Sequence, residues 1–456
     1  MIFELLREYA KQEPDRCFLR DASGGVTAQE AFEKAREIAS SLLTLNSPRI
    51  YFYAADSIHL ILSIIASQAI GLEVCVLHRD LKRDEIEAIL RRIGKGALIA
   101  DVPLPVSGIA FYDLGEVAGS HPNQPLSEDF ASSGKGAIII LTTGTTGLPK
   151  AALHEWERLL AKQGRQATGD HHTWLLAYPL NHFAGIQVLL HVLSNRETLV
   201  VSSSRDYGPI IATMIEHGVD SVSATPTFWR MITGRMSPEH QNRLRLRQIT
   251  VGGEASTADL LERLKSKFPS AAIAQIYATT ELGTCFSVKD GLPGFPSSYL
   301  DRPVGNVQLR ITDEELYVRS PVKMITYMDG SPSPETKEEW VATGDMVERV
   351  GTRVLFRGRK TEIINVGGVK VHPLKIEEAV SRVPGISAIR AYGRPNPVTG
   401  QIVACDIELE AEAEENIVRA AVQKACSTEL NRYEQPRQLT FVARLERHNE
   451  KLVRRG

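Results

Sequence analysis

Residues 141–150 read LTTGTTGLPK and pack four threonines, two glycines and one lysine into ten positions directly after the apolar run GAIII. Glycines let the backbone approach a ligand closely, while threonine hydroxyls and turn amides supply convergent donors. Lys150 adds a point charge. Together these groups suit a phosphate. The plain alternative is a polar turn after a strand, but hydroxyls at this density, ending in Pro-Lys, favour an anion site. The GxxxxGK[ST] spacing of a P-loop is missing, which excludes that nucleotide-binding class. His171 and His172 invite a metal reading, yet adjacent histidines do not converge easily on one ion and no third ligand accompanies them.

Such a loop needs rigid elements behind it. RIYFYAA (49–55), GAIIILTT (136–143), TLVVSS (198–203) and ITVGGE (249–254) read as short β-branched strands. Helical patterns such as DEIEAILRRI (84–93) and ADLLERLKSKF (258–268) lie between them, so the chain predicts α/β layers with largely parallel sheets. From Asp301 the texture changes. VQLRITDEELYVRSP, with turns at 329–330 and 351–352, predicts a hairpin-rich β subdomain. After Phe356 a charged hairpin runs into an amphipathic helix and opens a final segment of about one hundred residues, a small α+β domain joined through a tight hinge near 358–361.

Composition bounds the partners. The 456 residues exceed one ordinary core, and two or three core-bearing units are expected. A net charge of −2 gives no general attraction to nucleic acid or anionic membrane. Five scattered cysteines without a CxxC pair suit free thiols in a reducing compartment. The region 58–77 is apolar but carries Ser63, Ser67, Gln68, Gly71 and Glu73, and it reads as a buried helix and strand, not a membrane span. The expectation is a cytoplasmic protein.

Eight segments in order resemble the adenylate-forming superfamily of acyl-CoA synthetases, aryl-CoA ligases, luciferases and peptide-synthetase adenylation domains. They are LTTGTTGLPK, YPLNHFAG (178–185), GGEAS (252–256), IYATTELG (276–283), LYVRSPVKMITYMDG (316–330), VATGDMVE (341–348), GRKTEIINVGGVKVHPLKIEE (358–378) and NEKLVRR (449–455). The resemblance implies an α/β fold: a large N-terminal domain (1–357) of layered α/β subdomains plus a β-rich subdomain, and a small mobile α+β C-terminal lid (358–456). It also implies an acid–thiol ligase that uses ATP and Mg²⁺, turns a small carboxylic acid into acyl-AMP with release of pyrophosphate, and passes the acyl group to coenzyme A. The short chain and early phosphate loop resemble the compact succinylbenzoate- and aryl-CoA ligases, which points to an aromatic or medium-sized acid.

The physical demand behind those motifs is charge. A carboxylate must approach the α-phosphate of ATP, and two unit charges about 4 Å apart at an effective dielectric near 20 repel by roughly 4 kcal/mol. The resemblance places Thr280 as donor to the α-phosphate and Glu281 as the Mg²⁺ ligand. It sets Thr142, Thr143, Thr145 and Thr146, with Gly144, Gly147 and Lys150, around the β- and γ-phosphates. Lys451 would neutralise charge between carboxylate and α-phosphate, although by composition it reads as a basic tail. Gly253 and Glu254 belong to the adenine loop, and Tyr277 either stacks near adenine or belongs to the core. Asp345 would accept the ribose hydroxyls, with Arg359 helping to hold ribose or phosphate; by residue type alone they read as a turn aspartate and a solvated charge. The acyl pocket falls to His182, Phe183, Phe228, Gly252 and Ala278.

Members of the superfamily rotate their small domain between half-reactions. Mapped here, Gly367, Gly368 and Lys370 would serve the thiol tunnel, and the hinge position is Thr361. The chain departs from the usual pattern at Glu450 before the terminal lysine, at Ala151 after Lys150, and at Ala278 in Tyr-Gly-x-Thr-Glu. Three other readings stand beside CoA ligation: a stand-alone enzyme loading a carrier-protein phosphopantetheine, a luciferase-like oxidoreductase and a non-catalytic nucleotide-binding relative. The two-role assignment predicts that Lys451→Ala abolishes acyl-AMP formation but largely spares thioester formation from supplied acyl-AMP. Equal loss of both half-reactions, measured separately, contradicts it.

Overall fold

The computed structural model describes the chain apart from residues 105, 120–124, 133–135, 143–148, 162, 165–170, 322, 332–335, 338, 411–412, 446, 449–450 and 453–456. Among the described residues, two α/β sheets form the bulk of the molecule. The seven-stranded sheet carries the phosphate-type loop. Its strands Ala137–Thr142, Glu73–Val76, Arg49–Tyr53, Ala97–Ala100 and Ala110–Asp113 run parallel, while Lys150–Glu155 and Thr326–Tyr327 add antiparallel strands at one edge. In the eight-stranded sheet, Ala272–Thr279, Gln248–Gly252, Ser221–Ala224, Thr173–Leu175, Thr198–Val200 and Cys17–Asp21 are parallel and each edge strand is antiparallel.

The largest core lies between these sheets and includes side chains of the helices Ile2–Gln12, Ala28–Thr44, Ile58–Ala69 and Phe183–Asn195. Every residue of Ile58–Ala69 except His59 is buried, which is why that segment is apolar around its whole circumference. Ser57 caps it by accepting the Leu60 amide. A second core packs the helices Tyr207–Glu216, Pro226–Arg235 and Ala258–Lys267 on the opposite face of the eight-stranded sheet.

The β-rich part is a six-stranded sheet with its own core, in which Gln308–Thr312 and Glu315–Arg319 form the expected hairpin. One detail of the sequence reading is corrected. The segment leading to the turn at 329–330 leaves this sheet, and Thr326–Tyr327 pairs with Lys150–Glu155 in the α/β layer instead. The third unit begins after Arg353–Arg359. The hairpin Ile364–Val366/Val369–Val371, the long pair Ile386–Asn396/Gly400–Leu409 and the helices Pro373–Ser381 and Glu415–Glu429 enclose a separate core. Gly367 and Gly368 turn the first hairpin with φ of 59° and 88°, which L side chains rarely adopt. No helix among the described residues is long and apolar enough to cross a membrane.

Two histidines of the α/β layers make the fold sensitive to acid. Burial holds the imidazoles of His154 and His191 down to about 4. The unfolded chain protonates these groups near 6.5, so their stabilisation is complete above that pH and is lost as pH falls toward 4. Asp56, pushed up to about 6 by burial, works in the opposite sense over its own range. The expected outcome is a shallower fall of the urea midpoint between pH 6.5 and 4 in His154→Gln than in the parent chain. An unchanged slope would contradict the assignment.

Candidate active site

A cleft of about 2100 Å³ is lined by all three sheets of the large unit and by the small domain. One wall starts with the turn between Ala272–Thr279 and Gly283–Val288. A bulge between Tyr277 and Ala278 breaks the antiparallel register there and sets the direction of Thr279 to Glu281. The Tyr277 ring stacks on Phe286 and on Phe356, with centroids 5.1 Å away in each case. Its hydroxyl donates to Asp345 Oδ2 at 2.6 Å. Burial, with the Asp345 charge beside it, pushes that phenol well up, so it remains a donor.

Asp345 lies opposite Arg359 in the pairing of Trp340–Val350 with Arg353–Arg359. Arg359 Nε reaches Asp345 Oδ1 at 2.9 Å, and its Nη1 donates to the Thr343 carbonyl at 2.8 Å. The carboxylate is the main reason the guanidinium is held above its ordinary range. A carboxylate has about four acceptor positions. The contacts from Tyr277 and Arg359 orient Asp345 at the cleft wall.

At the phosphate end, Thr142 and Lys150 are register partners and close the loop between them. Thr143, Gly144, Thr145, Thr146 and Gly147 lie outside the described residues. Lys150 Nζ sits 5.0 Å above the Tyr327 ring, and the Tyr327 hydroxyl donates to Glu281 Oε1 at 2.7 Å. The other Glu281 oxygen has no hydrogen-bond partner among the described residues, and the side chain lines the cleft. No group of three His, Cys, Asp or Glu side chains suited to a metal occurs among the described residues. That donor set fits Mg²⁺ arriving on nucleotide phosphates, because Mg²⁺ is commonly held by one or two carboxylates, phosphate oxygens and water.

The opposite wall is built from a helix start and two loops. His182 is the N-cap of Phe183–Asn195, and its ring stands edge-on to His78 at 5.0 Å. The preceding loop is anchored by Leu180 N donating to Asp56 and by Tyr178 Oη donating to the Gly252 carbonyl at 2.7 Å. Gly185 is required where it stands, since a Cβ there would lie 2.1 Å from the Pro179 oxygen. Glu254 accepts both the amide and the hydroxyl of Thr227, which ties the loop after Gly252 and Gly253 to the helix Pro226–Arg235.

Phe228 is corrected. It is 2% exposed, packs on Tyr207 and Trp229 in the second core, and does not line the cleft. Helical spacing turns Thr227, Arg230, Met231 and Gly234 to the cleft instead. The guanidinium of Arg230, missed in the sequence, has no hydrogen-bond or ion-pair partner among the described residues. It is surrounded at longer range by Glu254, Glu377 and Asp259. The helix start at Thr225-Pro226 marked its phase.

Thr361 lies in the short 3₁₀ turn Lys360–Glu362 between the units and faces the cleft. Arg357 joins the units by pairing with Glu348 on one side and Glu378 on the other. Gly367, Gly368 and Lys370 occupy an exposed hairpin that does not line the cleft in this arrangement. Lys451 lies in a two-stranded ribbon with Arg447–His448, its side chain outside the described part, as is Glu450.

Comparison with known proteins agrees with this architecture. The chain is 25% identical to a 2-succinylbenzoate–CoA ligase of Lactococcus lactis subsp. lactis, over 97% of each chain. Similar solved structures include the o-succinylbenzoate CoA synthetase of Bacillus subtilis with its acyl-adenylate OSB-AMP, at TM-score 0.79 and 19% identity, covering 99% of this chain and 96% of that one. The anthranilate CoA ligase AuaEII with anthranoyl-AMP superposes at TM-score 0.85 and 17% identity, covering 99% and 95%. Sequence models describe an AMP-binding enzyme over residues 6–327 and an AMP-binding enzyme C-terminal domain over residues 375–451. With well over half of its length matched, the chain belongs to the AMP-binding enzyme family.

Proposed function

We propose that this protein activates an aromatic carboxylic acid with ATP and Mg²⁺ and transfers the acyl group to coenzyme A, and that the acid carries a second anionic group. The observation that carries the reading is one cleft holding opposite charges in separate places. Lys150 and Glu281 stand at the phosphate end, Asp345 and Arg359 at the ribose position, and Arg230 stands on the acid-facing helix.

In the first half-reaction a substrate carboxylate oxygen bonds to the α-phosphorus of ATP, and the bond from that phosphorus to the leaving pyrophosphate breaks. Mg²⁺ supplies charge neutralisation on the phosphates when bound. Glu281 would hold the metal, Thr280 would donate to the α-phosphate, and Lys150 would offset charge on the leaving group. Asp345 and Arg359 orient the ribose. In the second half-reaction the sulfur of coenzyme A attacks the acyl carbon and AMP departs. The Gly367–Gly368 hairpin and Lys370 serve this step once the small domain turns about Thr361, and Lys451 serves the first.

Arg230 supports the choice of acid. A guanidinium stays charged, and Arg230 is partly sheltered on the cleft wall. Burial lowers the guanidinium, with Glu254 and Glu377 opposing that effect from a distance. An anion on the substrate would satisfy it directly. 2-Succinylbenzoate, the substrate in the names of the relatives, has such a second carboxylate beside the one that reacts.

Incubating the enzyme with ATP, Mg²⁺ and a panel of acids should release pyrophosphate most readily with aromatic dicarboxylates, and adding coenzyme A alone should yield the acyl-CoA. Thioester formed only on a carrier protein would overturn the acceptor, and no pyrophosphate from any acid would overturn the activity. Arg230→Ala should raise KM for 2-succinylbenzoate on the order of tenfold or more while changing KM for benzoate little, the usual cost of a lost charged hydrogen bond. Equal changes for both acids would remove Arg230 from recognition.

A further inference from the structure

Tyr327 has no role in the reading above, yet it touches both charged groups at the phosphate end. It is 6% exposed and lies in a two-residue strand at the edge of the seven-stranded sheet. That strand is stitched to two elements far apart in sequence. Ile325 N and Met328 N donate to the carbonyls of Leu153 and Ala151, in the strand that follows the phosphate loop. Met324 N donates to the carbonyl of Glu281 itself, at 2.8 Å. The side chain repeats the connection, with its hydroxyl 2.7 Å from Glu281 Oε1 and its ring face 5.0 Å below Lys150 Nζ.

We propose that Tyr327 is a positioning residue for metal-bound nucleotide, fixing Glu281 through its hydroxyl and Lys150 through its ring. The inference rests on the proposed role of Glu281 as a Mg²⁺ ligand. A glutamate has three side-chain torsions and swings freely unless one oxygen is held. The phenol holds Oε1 and leaves the second oxygen to face the cleft. A neutral donor does this without competing for the metal charge, which an arginine or lysine partner would do. The ring supplies the second half: its electron-rich face attracts the ammonium and limits where a flexible lysine can place its charge. Opposite charges are thereby kept from collapsing onto each other. The phenol stands between them, so Lys150 remains available to phosphate oxygens and Glu281 to the cation.

The test separates the two contacts. ATP affinity is measured by calorimetry with and without Mg²⁺ in the parent chain and in Tyr327→Phe, Tyr327→Leu and Glu281→Gln, with thermal unfolding of each. Tyr327→Phe keeps the ring and loses the hydroxyl, so metal-free affinity should stay within about twofold while the tightening produced by Mg²⁺ falls roughly five- to tenfold. Tyr327→Leu should weaken ATP in both conditions. Glu281→Gln should abolish the Mg²⁺ effect. A Tyr327→Phe chain that keeps the full Mg²⁺ effect while Glu281→Gln loses it overturns the proposal alone. A Glu281→Gln chain that keeps the effect overturns the metal role on which it rests. Loss in Tyr327→Phe that tracks a lowered unfolding temperature, with metal-free binding lost in parallel, assigns the residue to the fold and overturns the proposal as well.

Discussion

Asp345 and Arg359 face each other on adjacent strands, and the cleft is organised around that contact. Arg359 is the last residue of its strand before the chain crosses to the small domain, so the pair stands where the two units meet. Tyr277 brings in the eight-stranded sheet by donating to the same carboxylate. Two separate sheets therefore agree on the position of one anionic group. Asp345 is buried whereas the Arg359 side chain is half exposed, so losing the guanidinium would leave a sheltered carboxylate less well compensated. A site for a flexible nucleotide gains from this arrangement, because the side chains that meet it are already oriented.

The phosphate end follows a different logic. The proposed function calls there for groups of opposite sign within a few ångströms of each other, one for the metal and one for the phosphates, and direct pairing would silence both. Other charges in the cleft are kept apart by the backbone. Glu254 is occupied by the amide and hydroxyl of Thr227, and Glu377 accepts the Ala391 amide. Neither is placed in a close ion pair with Arg230, and the guanidinium lines the cleft.

The sequence disclosed the chemistry better than the geometry. The loop at 141–150 advertised itself by hydroxyl density, and the strands at 49–55, 136–143 and 249–254 lie where β-branched runs put them. Glu281, Asp345 and Arg359, named through the family resemblance, line one cleft in the structure. What stayed hidden depends on phase and on long-range pairing. Phe228 and Arg230 are two residues apart on one helix, and only the packing of Trp229 and Ile232 into the second core decides which of them meets the cleft. Thr326–Tyr327 resembles the end of a β-rich run, and its pairing with residues some 170 positions earlier leaves no local trace. The hydroxyl of Tyr277 was legible only as a tyrosine ending an apolar strand; its bond to Asp345 spans 68 residues.

That short returning strand bears on how such a chain can be divided and inherited. The small C-terminal unit has a closed core of its own and a single covalent tie, so it resembles an exchangeable part. The β-rich portion does not. Its chain leaves to complete the edge of the α/β layer at Thr326–Tyr327, then comes back to form Trp340–Val350 and Arg353–Arg359. A cut or a recombination junction between residues 300 and 350 would strip one sheet of its edge or the other of its central strands. The first 359 residues are thus interlocked from sheet to sheet, whereas the small unit closes on its own core.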